Sequence, residues 1–212
     1  EDRNYEDLLT FSALFAFILG ICTALLACLY QPFMKLWAGE KLLLSTTDML
    51  LFCIYFYVIN MNNIRNQYIS GTGIWWKLKV SYIVEAVANL LLNFIFGKYF
   101  GISGVLLATI ITIFAFNYLQ RNAVLFRSYF KQSSYMKYLM EQFYFAFVAI
   151  AAVGCSYVVC SKISLDSILG LVIKGGITVI ISGSILFVGL LTSKRRQAVL
   201  GFLSQVLQRR NV

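Results

Sequence analysis

Glu85, Asn89 and Asn93 stand four residues apart, a spacing that puts one carboxylate and two amides on a single helical face. The surrounding stretch is apolar, and a carboxylate in hydrocarbon costs about 2.5–3.5 kcal/mol, so this face must turn toward other helices or toward water. Such a carboxylate can exchange a proton, and amides can replace the hydration of a polar solute. Upstream, Asn60, Asn62, Asn63, Arg65, Asn66 and Gln67 crowd one half of another stretch, a density of polar groups that lipid cannot solvate. That half should line water. The Arg65 guanidinium can fork onto a phosphate or pair with Glu85. The plainer readings are that Arg65 snorkels to a membrane edge, that the asparagines bond across helices, and that Glu85 merely meets a cation. Asn117, Gln120 and Arg121 add a second polar cluster.

None of these residues makes a catalytic set. The chain has no histidine, which removes the commonest zinc ligand and general base. There is no Asp-x-Asp for a metal-dependent sugar transferase, no serine–base pair at legible spacing and no paired carboxylates. Gly71-Thr72-Gly73 is not a nucleotide loop, since no strand precedes it and neither a third glycine nor Lys-Ser/Thr follows. Cys22, Cys28, Cys53, Cys155 and Cys160 lie in apolar stretches without Cys-x-x-Cys spacing and serve as small apolar side chains. The chain is expected to be no enzyme and to need no cofactor or metal.

The elements that must position these groups are apolar. Of 212 residues 60% are hydrophobic and 13% charged, with a mean hydropathy of +0.77; a soluble domain is roughly 25% charged. Apolar runs cover residues 8–30, 49–59 with a polar extension to about 70, 80–96, 102–120, 143–161 and 168–192. A spanning helix needs roughly 20 residues, so five runs qualify outright and the second only with its polar half. The runs are apolar on every side, unlike the alternation of a membrane β-barrel. The expected fold is all-α, a polytopic transmembrane bundle of six spans. Residues 1–125 would form a four-helix part, 126–193 two additional spans, and 194–212 a basic amphipathic tail.

Alternating spans place thirteen of the eighteen Lys and Arg residues on the side holding both termini, which is then cytoplasmic. The net charge of +9 sits at membrane edges, where it serves topology and anionic membrane lipids and not nucleic acid. The tail interleaves Ala198, Val199, Leu200, Phe202, Leu203, Val206 and Leu207 with basic ends from Lys194 to Arg210, suiting a helix lying on the inner leaflet. Pro32, Trp37 and Gly39 suggest that a helix-breaking connection covers residues 31–48, with Trp37 as an interfacial anchor. The short junction 97–104 folds the third and fourth spans into a tight hairpin, with Gly101, Gly104 and Ala108 on one close-packing stripe. Lys174, two turns inside the last span, is expected to snorkel outward. The chain begins Glu1-Asp2-Arg3 with neither an initiator Met nor a basic leader, and reads as the interior of a longer one.

The run Val84-Glu85-Ala86-Val87-Ala88-Asn89-Leu90-Leu91-Leu92-Asn93, followed by Gly97-Lys98-Tyr99-Phe100-Gly101-Ile102-Ser103-Gly104 and by Ala108-Thr109, resembles the polysaccharide-transport branch of the multidrug/oligosaccharidyl-lipid/polysaccharide exporter superfamily. Gln31-Pro32-Phe33-Met34-Lys35-Leu36-Trp37-Ala38-Gly39 is similar to that family's segment ending in Trp-x-Gly, and residues 66–79 to its inner loop. The resemblance covers residues 1–125, and the last two spans by hydropathy alone. It implies the C-terminal lobe of a MATE-like flippase whose N-terminal half is missing here. The implied substrate is an undecaprenyl-diphosphate-linked oligosaccharide, of O-antigen (lipopolysaccharide) or capsule type, carried across the bacterial inner membrane by alternating access. Arg65, Asn63, Asn66, Asn89 and Asn93 would contact that substrate, Glu85 would couple an ion, and a polysaccharide polymerase would be a further partner. The rival expectation is a non-transporting membrane scaffold or truncated partner of the polysaccharide assembly machinery.

Overall fold

The computed structural model describes residues 2–163 and 167–209, and no strand occurs among them. Glu1 and Arg210 lie outside the described residues, as do the side chains of Leu203, Val206 and Leu207. Helix α1 runs Asp2–Ala38, α2 Thr46–Gly71, α3 Lys79–Thr112, α4 Asn122–Ser128, α5 Tyr135–Ser161, α6 Ile168–Thr192 and α7 Arg196–Arg209; π-helix Ile113–Arg121 joins α3 to α4. Four helical stretches are long and apolar enough to cross a membrane: Arg3–Ala38, Ile74–Ser128, Tyr135–Ser161 and Ile168–Thr192. Their outer surface is greasy, with Phe94 77% and Phe147 71% exposed, as expected of a bundle that faces lipid. Polar α2 is not among the four.

Small residues hold the centre together. On α1, Ala13, Ala16, Ala24 and Ala27 are buried along one stripe with Gly20 between them. A Cβ on Gly20 would stand 2.8 Å from Leu186 of α6, and one on Gly189 2.5 Å from Val148 of α5. Ala149, Ala152, Ser156 and Cys160 make the matching stripe on α5, and Thr178, Ser182 and Leu186 that on α6. Because lipid tails are as apolar as leucine, helix association in a membrane depends on such close backbone approach and the dispersion contacts it creates. Two buried hydroxyls of α6 find acceptors one turn back, Thr178 on the Lys174 carbonyl at 2.8 Å and Ser182 on that of Thr178 at 2.6 Å, whereas Ser156 Oγ on α5 has no partner among the described residues. Helix α1 packs on α5 and α6 and also touches α2 and α7.

The 55-residue stretch Ile74–Ser128 is not one rod. At Gly101 the backbone takes φ 59 and ψ −134 and the chain doubles back. A Cβ on Gly104 would lie 2.1 Å from the Phe96 carbonyl oxygen, so only glycine permits the crossing. Ser81 donates to Gln120 at 2.7 Å and Asn89 to Thr112 at 2.9 Å, which fixes the two arms antiparallel. Arms 79–100 and 102–121 measure about 33 and 30 Å at 1.5 Å per residue. The expected tight hairpin is therefore present, and it reaches the rest of the bundle through α2.

The segment expected to break at Pro32 does not. Helix α1 continues through Pro32 to Ala38 and ends at Gly39, where φ is 83. One missing backbone donor does not end a helix already held by packing, whereas a positive φ does. Gln31 then pins the returning chain by donating to the Leu44 carbonyl at 2.6 Å. Trp37 stays 75% exposed, its ring stacked on Phe33 at 6.0 Å, in keeping with an interfacial anchor.

The cation-rich segments converge at one end. Tyr5 packs edge-on against Phe126 at 6.0 Å, Tyr68 donates to the Asn4 carbonyl, and Lys77 donates to Ser128. A buried cluster that includes Leu8, Ile69, Leu78, Leu125 and Phe130 ties the start of α1 to the end of α2 and to α4. The tail helix α7 does not lie free. Val199 is fully buried and Phe11 meets Phe202 at 5.3 Å, so these two apolar residues dock on the bundle while Leu200 stays exposed.

Candidate functional site

Three consecutive carbonyls in the π-helical stretch, those of Asn117, Tyr118 and Leu119, accept bonds from side chains. A π register loosens the backbone ladder and is enriched at functional sites. Arg65 of α2 donates through Nη1 to the Asn117 carbonyl at 2.5 Å, and Tyr135 donates to those of Tyr118 and Leu119 at 3.2 and 3.4 Å. The same register brings Asn117 and Asn122, five residues apart, onto one guanidinium: Arg65 also reaches Asn122 Oδ1 at 3.4 Å.

Arg65 is completely buried. Its Nη2 donates to Asn117 Oδ1 and to Asn66 Oδ1, both at 3.1 Å, while Nε has no partner among the described residues. Among the described residues no carboxylate touches it. Sequence spacing allowed a direct Arg65–Glu85 pair, but Arg121 takes that place, forming the ion pair with Glu85 Oε2. Arg121 comes from the π segment one turn past Asn117, directly across the hairpin from Glu85, whereas Arg65 approaches from α2 behind the Asn117 amide. Asn117 Nδ2 donates to Glu85 Oε1 at 2.7 Å while Asn117 Oδ1 accepts from both guanidinium groups. The Arg121 guanidinium also lies over the Tyr82 ring, 3.9 Å from its centroid. Two cations and one anion thus leave this cluster with one surplus positive charge.

Above the ion pair the hairpin carries an amide ladder. Asn93 donates to Asn89 Oδ1 at 2.9 Å, and Asn89 donates to Thr112 and, at 3.4 Å, to Thr109. A cavity of about 280 Å³ between α2 and the hairpin is lined by Ile59, Tyr82, Glu85, Asn89, Thr109 and Thr112, among others. The Glu85, Asn89 and Asn93 face therefore turns inward, as its polarity requires. Arg65 does not line this cavity. Asn63 stays exposed on α2, its side chain bonded among the described residues to Asn60 alone, at 3.4 Å, with Gln67 exposed one turn on.

The network thus joins three of the expected residues, Arg65, Asn66 and Glu85. It sets Asn89 and Asn93 beside them and leaves Asn63 outside. Asn122 and Tyr82 had no signal of their own in the sequence; a polar residue five positions after Asn117 becomes legible only once the π register is known. At the opposite end Ser103, just past the hairpin tip, donates to Asp48, which also accepts from Ser45 at 2.7 Å, so the tip is tied to the start of α2.

Lys174 is only 6% exposed, its stem packed inside the bundle, and the Cys160 thiol of α5 meets its backbone carbonyl. All five cysteines are free. The chain matches no protein-family model, no curated protein and no solved structure.

Proposed function

We propose that this chain is part of a membrane flippase of the polysaccharide-transport type, which moves a polyprenyl-diphosphate-linked oligosaccharide across the bacterial inner membrane by alternating access. The observation that carries this reading is the inward-facing cluster of Glu85, Arg121, Asn117 and Arg65, with its one surplus positive charge beside a cavity that Glu85, Asn89, Thr109 and Thr112 line. A sugar diphosphate cannot enter hydrocarbon bare; amides that replace its hydration and a buried cation that offsets its charge lower that barrier. The exposed polar face of Asn63 and Gln67 sits on a helix too polar for lipid, which suits the wall of a wet passage completed by a further lobe.

In this mechanism six crossings place both termini in the cytoplasm and the cation-rich end at the inner mouth. Protonation of Glu85 releases Arg121, and through Asn117 it loosens the hold of α2 on the hairpin. Glu85 is thereby the coupling group, and only once α2 loosens from the hairpin do the Arg65 guanidinium and the asparagines become available to the diphosphate and sugar. The test is made in the full-length protein, in cells whose surface polysaccharide depends on it. Glu85→Gln and Arg65→Ala should each lower surface polysaccharide at least tenfold at equal protein level; normal polysaccharide in both variants would remove this function.

A further inference from the structure

The groove between the first turns of α5 and the end of α6 has no part in the cluster around Glu85. It holds about 490 Å³ and lies at the cation-rich end. Its rim is polar: Ser134, Lys137 and Lys194, with the exposed Lys194 in the short link between α6 and α7. Its wall is apolar, formed by Met136, Met140 and Tyr144. Met136 and Met140 stand exposed on the lipid side, and methionine adapts its shape to irregular chains. From Lys137 to Tyr144 the wall descends about 10 Å along the helix axis.

Glu141 lines the floor with Glu6 of α1 beyond it, and both acids are already engaged. Arg195 forks onto Glu141, with Nε at 2.9 Å from Oε2 and Nη2 at 2.9 Å from Oε1, and its Nη1 donates to Glu6. Lys137 approaches Glu6 at 3.8 Å with both side chains about half exposed, a loose contact that leaves its ammonium available. Lys137, Lys194 and Arg195 against Glu141 and Glu6 leave the groove one net positive charge. The α5 N-terminus adds its partial positive charge at Ser134, whose hydroxyl caps the Lys137 amide at 3.2 Å.

The geometry points to a binding site for one anionic glycerophospholipid of the leaflet on the N-terminal side. Lys137 and Lys194 hold its phosphate, and one acyl chain lies along Met136, Met140 and Tyr144. A cationic rim above an apolar wall, at the level where headgroup passes into hydrocarbon, complements a phosphatidylglycerol-type lipid in both charge and depth. A zwitterionic lipid satisfies only the wall. Such a lipid would brace the α6–α7 link against α5 and so keep the tail helix docked. This inference stands apart from the transport reading, since it uses none of the residues around Glu85.

The test is native mass spectrometry of the protein released from nanodiscs of phosphatidylglycerol and phosphatidylcholine. The wild-type protein should retain one phosphatidylglycerol per chain. A lysine beside an anionic headgroup contributes roughly fivefold in affinity, so Lys137→Gln with Lys194→Gln should weaken retention about 25-fold. Lys77→Gln with Lys79→Gln, on the same end but outside the groove, should leave it unchanged. Lys137→Arg with Lys194→Arg should restore it, which separates lost charge from lost folding. Equal retention of phosphatidylcholine, equal loss in the Lys77/Lys79 control, full retention in the groove variant, or displacement of the lipid by inorganic phosphate would each overturn the site.

Discussion

Arg65 and Glu85 are joined through one amide: Asn117 accepts from Arg65 Nη2 at 3.1 Å and donates to Glu85 Oε1 at 2.7 Å. No residue with only donors or only acceptors can make that bridge, so the pairing of an anion from α3 with a cation from α2 rests on one side chain of the π segment.

Asn117→Leu should therefore destabilise the protein by about 1–3 kcal/mol, since it removes one acceptor from each of two buried guanidinium groups and a donor from a carboxylate, while Arg65 keeps the residue 117 carbonyl and Asn66. Asn117→Asp keeps the shape but sets a second carboxylate against Glu85, and should also destabilise at neutral pH. Unfolding of the purified protein in detergent reads both. Unchanged midpoints would mean the bridge holds nothing.

The Glu85–Arg121 pair has side chains only 16% and 7% exposed. Removing one member leaves a buried charge unpaired, so Glu85→Gln and Arg121→Gln should each cost more than half of what the double variant costs. A double-mutant cycle should return a coupling of about 1–3 kcal/mol. Simple additivity would contradict a direct pair.

At the hairpin crossing, Gly104→Ala places a methyl group where the Phe96 carbonyl already stands and must force the arms apart. Gly101→Ala meets open space but must hold φ 59 and ψ −134, a strain of about 1–3 kcal/mol. Gly104→Ala should thus be the more damaging. Unfolding of the purified protein in detergent should show the midpoint falling further for Gly104→Ala than for Gly101→Ala. Equal losses would argue against the tight crossing.

The tail is clamped by Arg195. Burial favours its neutral form, but Glu141 and Glu6 outweigh burial and raise its pKa above the ordinary arginine range. A raised pKa gives stability that is complete below the unfolded value and is lost only as pH climbs through the folded one. The clamp should therefore not respond to Arg195 titration at neutral or mildly alkaline pH. Arg195→Gln should cost about 2–3 kcal/mol and free α7, seen as faster tryptic cleavage after Lys194 and Arg196. Equal cleavage would mean that Val199 alone docks the helix.

The sequence announced lipid as the solvent, since runs of apolar residues on all sides of a helix have no other explanation. It announced the hairpin too, because Gly101 and Gly104 in a very short junction leave little choice. It did not disclose which helices pack: the Ala13–Ala27 stripe reads as unremarkable hydrophobicity until Leu186 is seen against Gly20. Pro32 misled because a proline removes only one bond, while the real stop lay at Gly39. Spacing offered Arg65 as a partner for Glu85 and left a plain meeting with some cation open; Arg121 is that cation, because it lies across the hairpin from Glu85, and spacing does not say which helix faces it. The π register that settles this has no sequence signature here.

The most direct measurement is translocation of a polyprenyl-diphosphate oligosaccharide by the full-length protein in proteoliposomes, comparing wild type with Glu85→Gln and Arg65→Ala. A rate that falls at least tenfold in each variant, with Glu85→Gln also losing its response to an imposed proton or cation gradient, is the predicted result. Wild-type protein that moves no such lipid, or variants that move it as fast as wild type, would contradict the account.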